Sequence, residues 1–323
     1  MLVFFAAFNY FFQQNNFFQK VFKFWFLVIS IVLIDVFIES FTGRNILGYG
    51  GEAHLGKRIV SFFKDEPIVG GFLNGFYLLL LGFLLNEFKE KKILFILLFI
   101  ILFITAILLT GERSNSIKAI LGLCFFLFFI KAIDIKIKLA LISTIIILII
   151  FSLFNSSFLK TRFVNQMKIY SKQDNVYFQL YKSGFEVFKK NKLFGVGNKN
   201  YRVETCIEKN ELGSTKANKY FCNTHPHQIY LEFLSEHGLL GSLMMFFILY
   251  KLIFSKIKSV IRSDNYLQLG SFIYLILVFL PLIPSGAFFN DYMLTLFIIN
   301  LSIFYASNLN LNIFHNDIKN NHN

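Results

Sequence analysis

The chain has 323 residues, 55% of them hydrophobic, and carries a formal net charge of +13; its mean hydropathy is +0.59. Apolar runs near twenty residues exclude an ordinary soluble domain, and the absence of two-residue alternation in them excludes a transmembrane barrel. The basic residues lie in the loops between these runs, so lipid headgroups or a phosphorylated ligand are the expected partners, not nucleic acid.

In chain order, Met1–Phe12 is apolar but lacks a basic flank before it and a small-residue cleavage site after it. It reads as a short first span or the remnant of one, not as a cleavable signal peptide. Spans follow at about 21–39, 69–86, 93–110, 117–130, 139–154, 238–254, 267–284 and 291–306. Only helices close their own backbone hydrogen bonds in lipid without forming a barrel. The expected fold is therefore all-α, a polytopic helical membrane protein of about 8–10 transmembrane helices with one large periplasmic loop. Residues 1–306 form a single membrane domain that includes the loop at about 155–227. The Asn-rich stretch 307–323 reads as a disordered cytoplasmic tail.

Short loops set the orientation. Lys89, Lys91 and Lys92 form one basic cluster, Lys131, Lys136 and Lys138 a second, and Lys251, Lys256, Lys258 and Arg262 a third. The positive-inside rule puts all three in the cytoplasm. Segments 40–68, Glu112–Ser116 and 155–227 then face outward. The last is itself basic, but long loops translocate largely regardless of charge. Cys206 and Cys222 both fall in it, where disulfides persist, so they are expected to pair across 15 intervening residues; two free thiols are the alternative. Cys124 lies inside a span and reads as a buried apolar residue.

The most informative stretch is Cys222–Gly241, CNTHPHQIYLEFLSEHGLLG. Pro226 suits the first turn of a helix, Thr224 or His225 its cap, and Gly238 its stop. His227 would sit in that first turn, where free N–H groups and the helix dipole favour a bound anion. An imidazole beside a phosphate is a suitable general base. The competing reading is a hydrogen-bonded surface histidine. Glu232 and Glu236 read as helix-surface residues.

His227, Gln228, nine residues, then Gly238-Leu-Leu-Gly241 resembles the His-[Asn/Ser/Gln]-x9-Gly-x-x-Gly signature of O-antigen ligases and the related O-antigen polymerases. The placement is similar too, at the end of a large outward loop just before a span. Leu193-Phe-Gly-Val-Gly197 resembles the Gly-Val-Gly turn that precedes the motif. Arg113, in Gly-Glu-Arg-Ser-Asn, resembles the family's Ser-Arg-small turn. Arg58–Gly70 resembles an Arg-x-x-Gly-x-Phe-x-Asp-Glu stretch, with Ser61 where the glycine would be. The family's arginine upstream of the Gly-Val-Gly turn has no counterpart near Tyr177–Tyr181; Arg162 or Arg202 would have to substitute. The N-terminus is shorter than the family's usual one.

The resemblance implies a bacterial inner-membrane enzyme whose active site lies on the periplasmic side. Such an enzyme transfers a glycan from undecaprenyl diphosphate to a sugar hydroxyl on a lipid A core or another glycan. His227 would be the catalytic base. Arg113 would be the first cation on the diphosphate, with snorkelling at a span end as its alternative. Arg58, Arg162, Arg202 and Gln228 complete the substrate-binding candidates; Asp65 and Glu66 are weaker candidates for the acceptor. No nucleotide-binding motif is present, and no cofactor is expected. A metal site is not expected either: His225 and His227 are two apart, but His237 lies ten residues on, roughly 15 Å along a helix, and no cysteine or carboxylate completes a zinc spacing. His54 reads as a solvated loop residue. A polymerase that joins lipid-linked repeat units stays open as an alternative. So does a flippase, although repeats and paired charges in mid-membrane are not apparent.

Overall fold

The structure is a computed structural model of the chain, and it describes residues 2–12, 15–50, 58–64, 66–88, 93–131, 133–166, 176–206 and 220–314. His54, Asp65, Lys89, Lys91 and Lys92 lie outside the described residues. So does the expected tail beyond residue 314.

Among the described residues the principal elements are α1 (Leu2–Phe11), α2 (Asn15–Thr42), α3 (Val69–Phe88), α4 (Ile93–Leu109), α5 (Arg113–Phe129), α6 (Ile135–Asn155), α7 (Ser157–Lys160), α8 (Val176–Lys190), α9 (Tyr201–Cys206), α10 (Ile229–Leu252), α11 (Ile257–Arg262), α12 (Tyr266–Val278) and α13 (Asp291–Ala306). A lone antiparallel bridge joins Arg44 and Gly50. Among the described residues four helices are long and apolar enough to cross a membrane: Phe18–Thr42, Val69–Phe88, Ile135–Asn155 and Ile229–Arg262. The shorter apolar helices α1, α4, α12 and α13 accompany them. This is an all-α polytopic membrane protein.

The chain divides into two compact units, one of Met1–Gln166, Lys258–Leu277 and Leu296–Asn323, the other of Met167–Ile257 and Val278–Thr295. In the first, α3 is the hub and packs against α2, α4 and α5. Of its spanning window 78% is buried, against 11% for α6, so α6 turns most of its apolar surface outward. Backbones approach closely where side chains are absent: a Cβ at Gly82 would collide with the carbonyl of Tyr266, and one at Gly270 with that of Leu78. Small residues at helix crossings are how membrane helices gain contact without a hydrophobic drive. Polar side chains inside the bundle close on backbone: the Asn300 amide donates to the carbonyls of Gly75 (2.9 Å) and Leu296 (3.0 Å).

Asp35 lies in the last two turns of α2. It is fully buried and accepts from the backbone N–H of Ile46 (2.8 Å) and the hydroxyl of Ser61 (2.5 Å). Glu39, one helical turn on, accepts from the N–H groups of Val60 (3.1 Å) and Ser61 (2.6 Å). Two carboxylates thus fasten the loop after α2 and the segment 58–63 to the helix end. Ser61 has φ +49, in the region that favours glycine, at the position where the family-like stretch would carry one.

In the second unit α8 lies against α10, with α9 beside both. Val187, Tyr201 and Tyr220 form its core, and Cys206 and Cys222 are joined by a disulfide with Cα atoms 4.8 Å apart. The run expected as a span over 267–284 ends as helix at Val278. Pro281 and Pro284 follow, and neither can donate a helical hydrogen bond.

Candidate functional site

The entry to α10 differs from the sequence expectation. Neither Thr224 nor His225 caps it, and His227 is not in its first turn. Gln228 is the cap: its backbone is extended (φ −149, ψ 122) and its side-chain oxygen accepts from Leu231 N–H at 2.7 Å. Gln228, expected to touch substrate, therefore spends its carbonyl oxygen on the helix. His227 precedes the cap with φ +53, a conformation that costs a non-glycine residue about 1–3 kcal/mol.

That strain persists because the surroundings over-determine it. The N–H of Ser285 donates to the His227 carbonyl at 2.9 Å. The Tyr230 hydroxyl donates to the Phe279 carbonyl at 2.5 Å. Glu232 accepts from Phe288 N–H with both oxygens at 3.0 Å. The segment between α12 and α13 is thus tied at three points to the beginning of α10, one of them His227 itself. Glu232 is only 2% exposed, so it is not the helix-surface residue its polar position implies.

Gly238 is not a stop. It takes φ 64, ψ −168 and kinks α10, which runs on to Leu252. The Gly-Val-Gly turn docks on this kink. Val196 N–H donates to the Ser235 carbonyl (3.0 Å) and Gly197 N–H to that of Glu236 (2.8 Å), while Leu239 N–H donates to Lys192 (2.7 Å) and Leu240 N–H to Leu193 (3.2 Å). The two strands of backbone are so close that a Cβ on either Gly195 or Gly238 would strike the other. Glu236, also buried, accepts from Lys199 N–H (2.9 Å) and Tyr201 N–H (3.4 Å) and so pins the turn to α9. The glycines and the acid of the motif hold the loop against α10, whose entry His227 precedes.

Around His227 stand three further rings. The His225 ring centroid is 4.0 Å away and that of Tyr177 6.1 Å; Tyr181 is 6.5 Å from Tyr177. Burial first, and the adjacent His227 second, hold His225 down at about 4, against an opposing pull from the Ser285 backbone. His225 is therefore neutral at pH 7. Its Nδ1 lies 2.9 Å from the Thr224 hydroxyl. Among the described residues no three His, Cys, Asp or Glu side chains gather where they could hold a metal ion.

The arginine candidates of the first unit meet at the turn between α4 and α5. Arg162 donates to the Gly111 carbonyl through Nε (3.2 Å) and Nη2 (3.1 Å), and through Nη1 to Gln166 (2.8 Å). Ile59 N–H donates to the Thr110 carbonyl at 3.2 Å, which brings the exposed Arg58 to the same turn. Arg113 begins α5. At their centre Glu112, 6% exposed, accepts from Gly70 N–H and the Asn115 amide, each at 2.6 Å. Burial raises its carboxyl above the usual range, while those hydrogen bonds and the charge of Arg58 pull it back. Arg202 lies exposed on α9 in the second unit, and Glu66 is exposed. Sequence reasoning missed Glu112, Ser285 and the buried state of Glu232. A carboxylate flanked by Gly and Arg between two apolar runs was the one available signal, for Glu112.

The protein is a polytopic helical membrane protein; its second unit holds a histidine at a braced helix entry, and its first unit, described by itself, an arginine-bearing turn. Residues 97–247 match the family model described as O-Antigen ligase, which supports a relation of this stretch to that family. The family works by glycosyl transfer of the ligase or polymerase type, on lipid-linked glycans and glycan acceptors. No curated protein matches the chain. The matched stretch contains Arg113, Arg162, Arg202, His227 and Gln228; Arg58 and the segment that braces His227 lie outside it.

Proposed function

We propose that the protein transfers a glycan from undecaprenyl diphosphate to a sugar hydroxyl of a lipid A core, at the periplasmic face of the bacterial inner membrane. His227 removes the proton from the acceptor hydroxyl as its oxygen attacks the anomeric carbon of the donor. The bond from that carbon to the diphosphate oxygen breaks, and undecaprenyl diphosphate leaves with the electron pair. The imidazolium then returns its proton to solvent. The charge on the leaving diphosphate is met by arginine, whose planar fork suits phosphate oxygens. Arg113 is the first assignment, with Arg58, Arg162 and Arg202 as further donors.

The observation that carries this reading is the strained, over-braced backbone of His227 inside the family's motif. Strain of that kind is retained where geometry matters to function. The Cys206–Cys222 bond supports an outward loop at 155–227, because disulfides persist in oxidising compartments. The same orientation puts the tail 307–323 in the cytoplasm.

Analysis of the cell's lipopolysaccharide after deletion tests the reading. A ligase leaves lipid-linked polymer accumulating and no long chains on the core. Cores capped with one repeat unit would assign the protein as a polymerase instead. Loss of long chains with lipid-linked glycan trapped on the cytoplasmic side would make it a flippase.

A further inference from the structure

Tyr177 and Tyr181 sit one turn apart on α8, and neighbours at that spacing share a helix face. That face leads to the histidine: Tyr181, Tyr177 and His227 form a row with ring centroids 6.5 and 6.1 Å apart. The Tyr177 and His227 rings stand nearly perpendicular, at 83°. Further along the same helix Gly184 lets Pro226 seat against α8, since a Cβ there would lie 2.9 Å from the Pro226 ring. The two tyrosines are thus fixed relative to His227 by the packing that fixes the histidine.

The Tyr181 hydroxyl is the unusual atom of the row. It is buried and has no hydrogen-bond partner among the described residues. Buried polar atoms are nearly always satisfied, and one that is not calls for an explanation. The Tyr201 hydroxyl is likewise buried without a partner among the described residues, but Tyr201 belongs to the core of the unit and not to this row.

We propose that Tyr181 and Tyr177 form the subsite for the acceptor sugar, with the Tyr181 hydroxyl donating to a sugar oxygen while the Tyr177 ring packs on the C–H surface of the pyranose. This rests on His227 as the base: the acceptor hydroxyl must lie beside that imidazole, so the rest of its ring must lie on neighbouring groups. Aromatic side chains with a polar tip match a pyranose, which presents apolar C–H groups on its faces and hydroxyls on its rim. An isoprenoid chain would need the rings but not the hydroxyl. Burial, with Tyr177 as the second cause, pushes the Tyr181 phenol up to about 12, so it remains a donor throughout the physiological range.

The test uses the full-length purified enzyme with a lipid-linked glycan donor and a core oligosaccharide acceptor. Tyr181→Phe should raise the acceptor KM about tenfold, the loss of one neutral hydrogen bond, with the donor KM unchanged. The thermal unfolding midpoint should not fall, because the hydroxyl has no partner to lose among the described residues. Tyr177→Leu should raise the acceptor KM as well, and Tyr177→Phe should leave it near wild type. An unchanged acceptor KM in Tyr181→Phe overturns the subsite, and so does a fall in unfolding midpoint, which would reveal a structural hydroxyl. Acceptor binding titrated onto the His227→Ala protein separates the two claims. Weaker binding when Tyr181→Phe is added supports the subsite whatever becomes of the base, and full turnover by His227→Ala defeats the base alone.

Discussion

Gly238→Ala is the substitution that most severely tests how the motif is built. At φ 64, ψ −168 the residue occupies a region essentially reserved for glycine, and forcing another residue there costs about 1–3 kcal/mol. Space is the second obstacle. The new Cβ would lie 2.5 Å from Phe194 N and closer still to the Leu193 carbonyl. Those atoms are backbone, so relief requires the turn to move off the helix. The hydrogen bonds from Leu239 N–H to Lys192 and from Leu240 N–H to Leu193 would then break, at about 0.5–1.5 kcal/mol each. Together these amount to about 4 kcal/mol, roughly a thousandfold in the population of the docked arrangement. Gly48→Ala is the control: φ is +84, but a Cβ there meets nothing within 4 Å. Thermal unfolding in detergent and glycan transfer should both collapse for Gly238→Ala, while Gly48→Ala loses only a few degrees. Wild-type unfolding and transfer in Gly238→Ala would refute the docking of the turn on the kink.

Other predictions follow from the same unit. His225 has its pKa depressed from 6.5 to about 4 by burial and by His227. The unfolded chain therefore binds more protons between those values, and the contribution is present above pH 6.5 and lost as pH falls toward 4. Its full size is about 3 kcal/mol before allowing for the ring's partial exposure; His225→Asn should flatten the stability profile in that window, and an unchanged slope would count against the buried neutral ring. Breaking the Cys206–Cys222 bond with paired serines should lower stability by about 3 kcal/mol, the chain-entropy value for a loop of this length. Equal unfolding midpoints with and without reductant would remove that role.

What could be read from the sequence is what depends on local pattern. The run of α4 is apolar around nearly its whole circumference, so lipid or a buried bundle is the only environment open to it. The Cys206–Cys222 pair was legible because both cysteines fall in the one long loop that the charge pattern turns outward. The errors cluster where distant backbone decides. Gly238 resembles a helix stop until Lys192 and Leu193 satisfy the amides that follow it, and then the helix resumes. Glu232 and Glu236 fall on polar-looking positions, yet their partners are N–H groups of Phe288 and of Lys199 and Tyr201, far away in the chain. Pro226 signals a helix start, but the cap is chosen by Gln228, whose side chain reaches Leu231. Arg162 could be flagged by charge alone; its grip on the Gly111 carbonyl has no local signature.

The most direct measurement is single-turnover transfer by purified His227→Ala from a lipid-diphosphate-linked glycan to a core acceptor. A general base contributes about 10²–10⁴-fold, so the rate should fall by that factor while the protein keeps its unfolding midpoint and still binds donor. Transfer at the wild-type rate would contradict the central claim that this histidine takes the acceptor's proton.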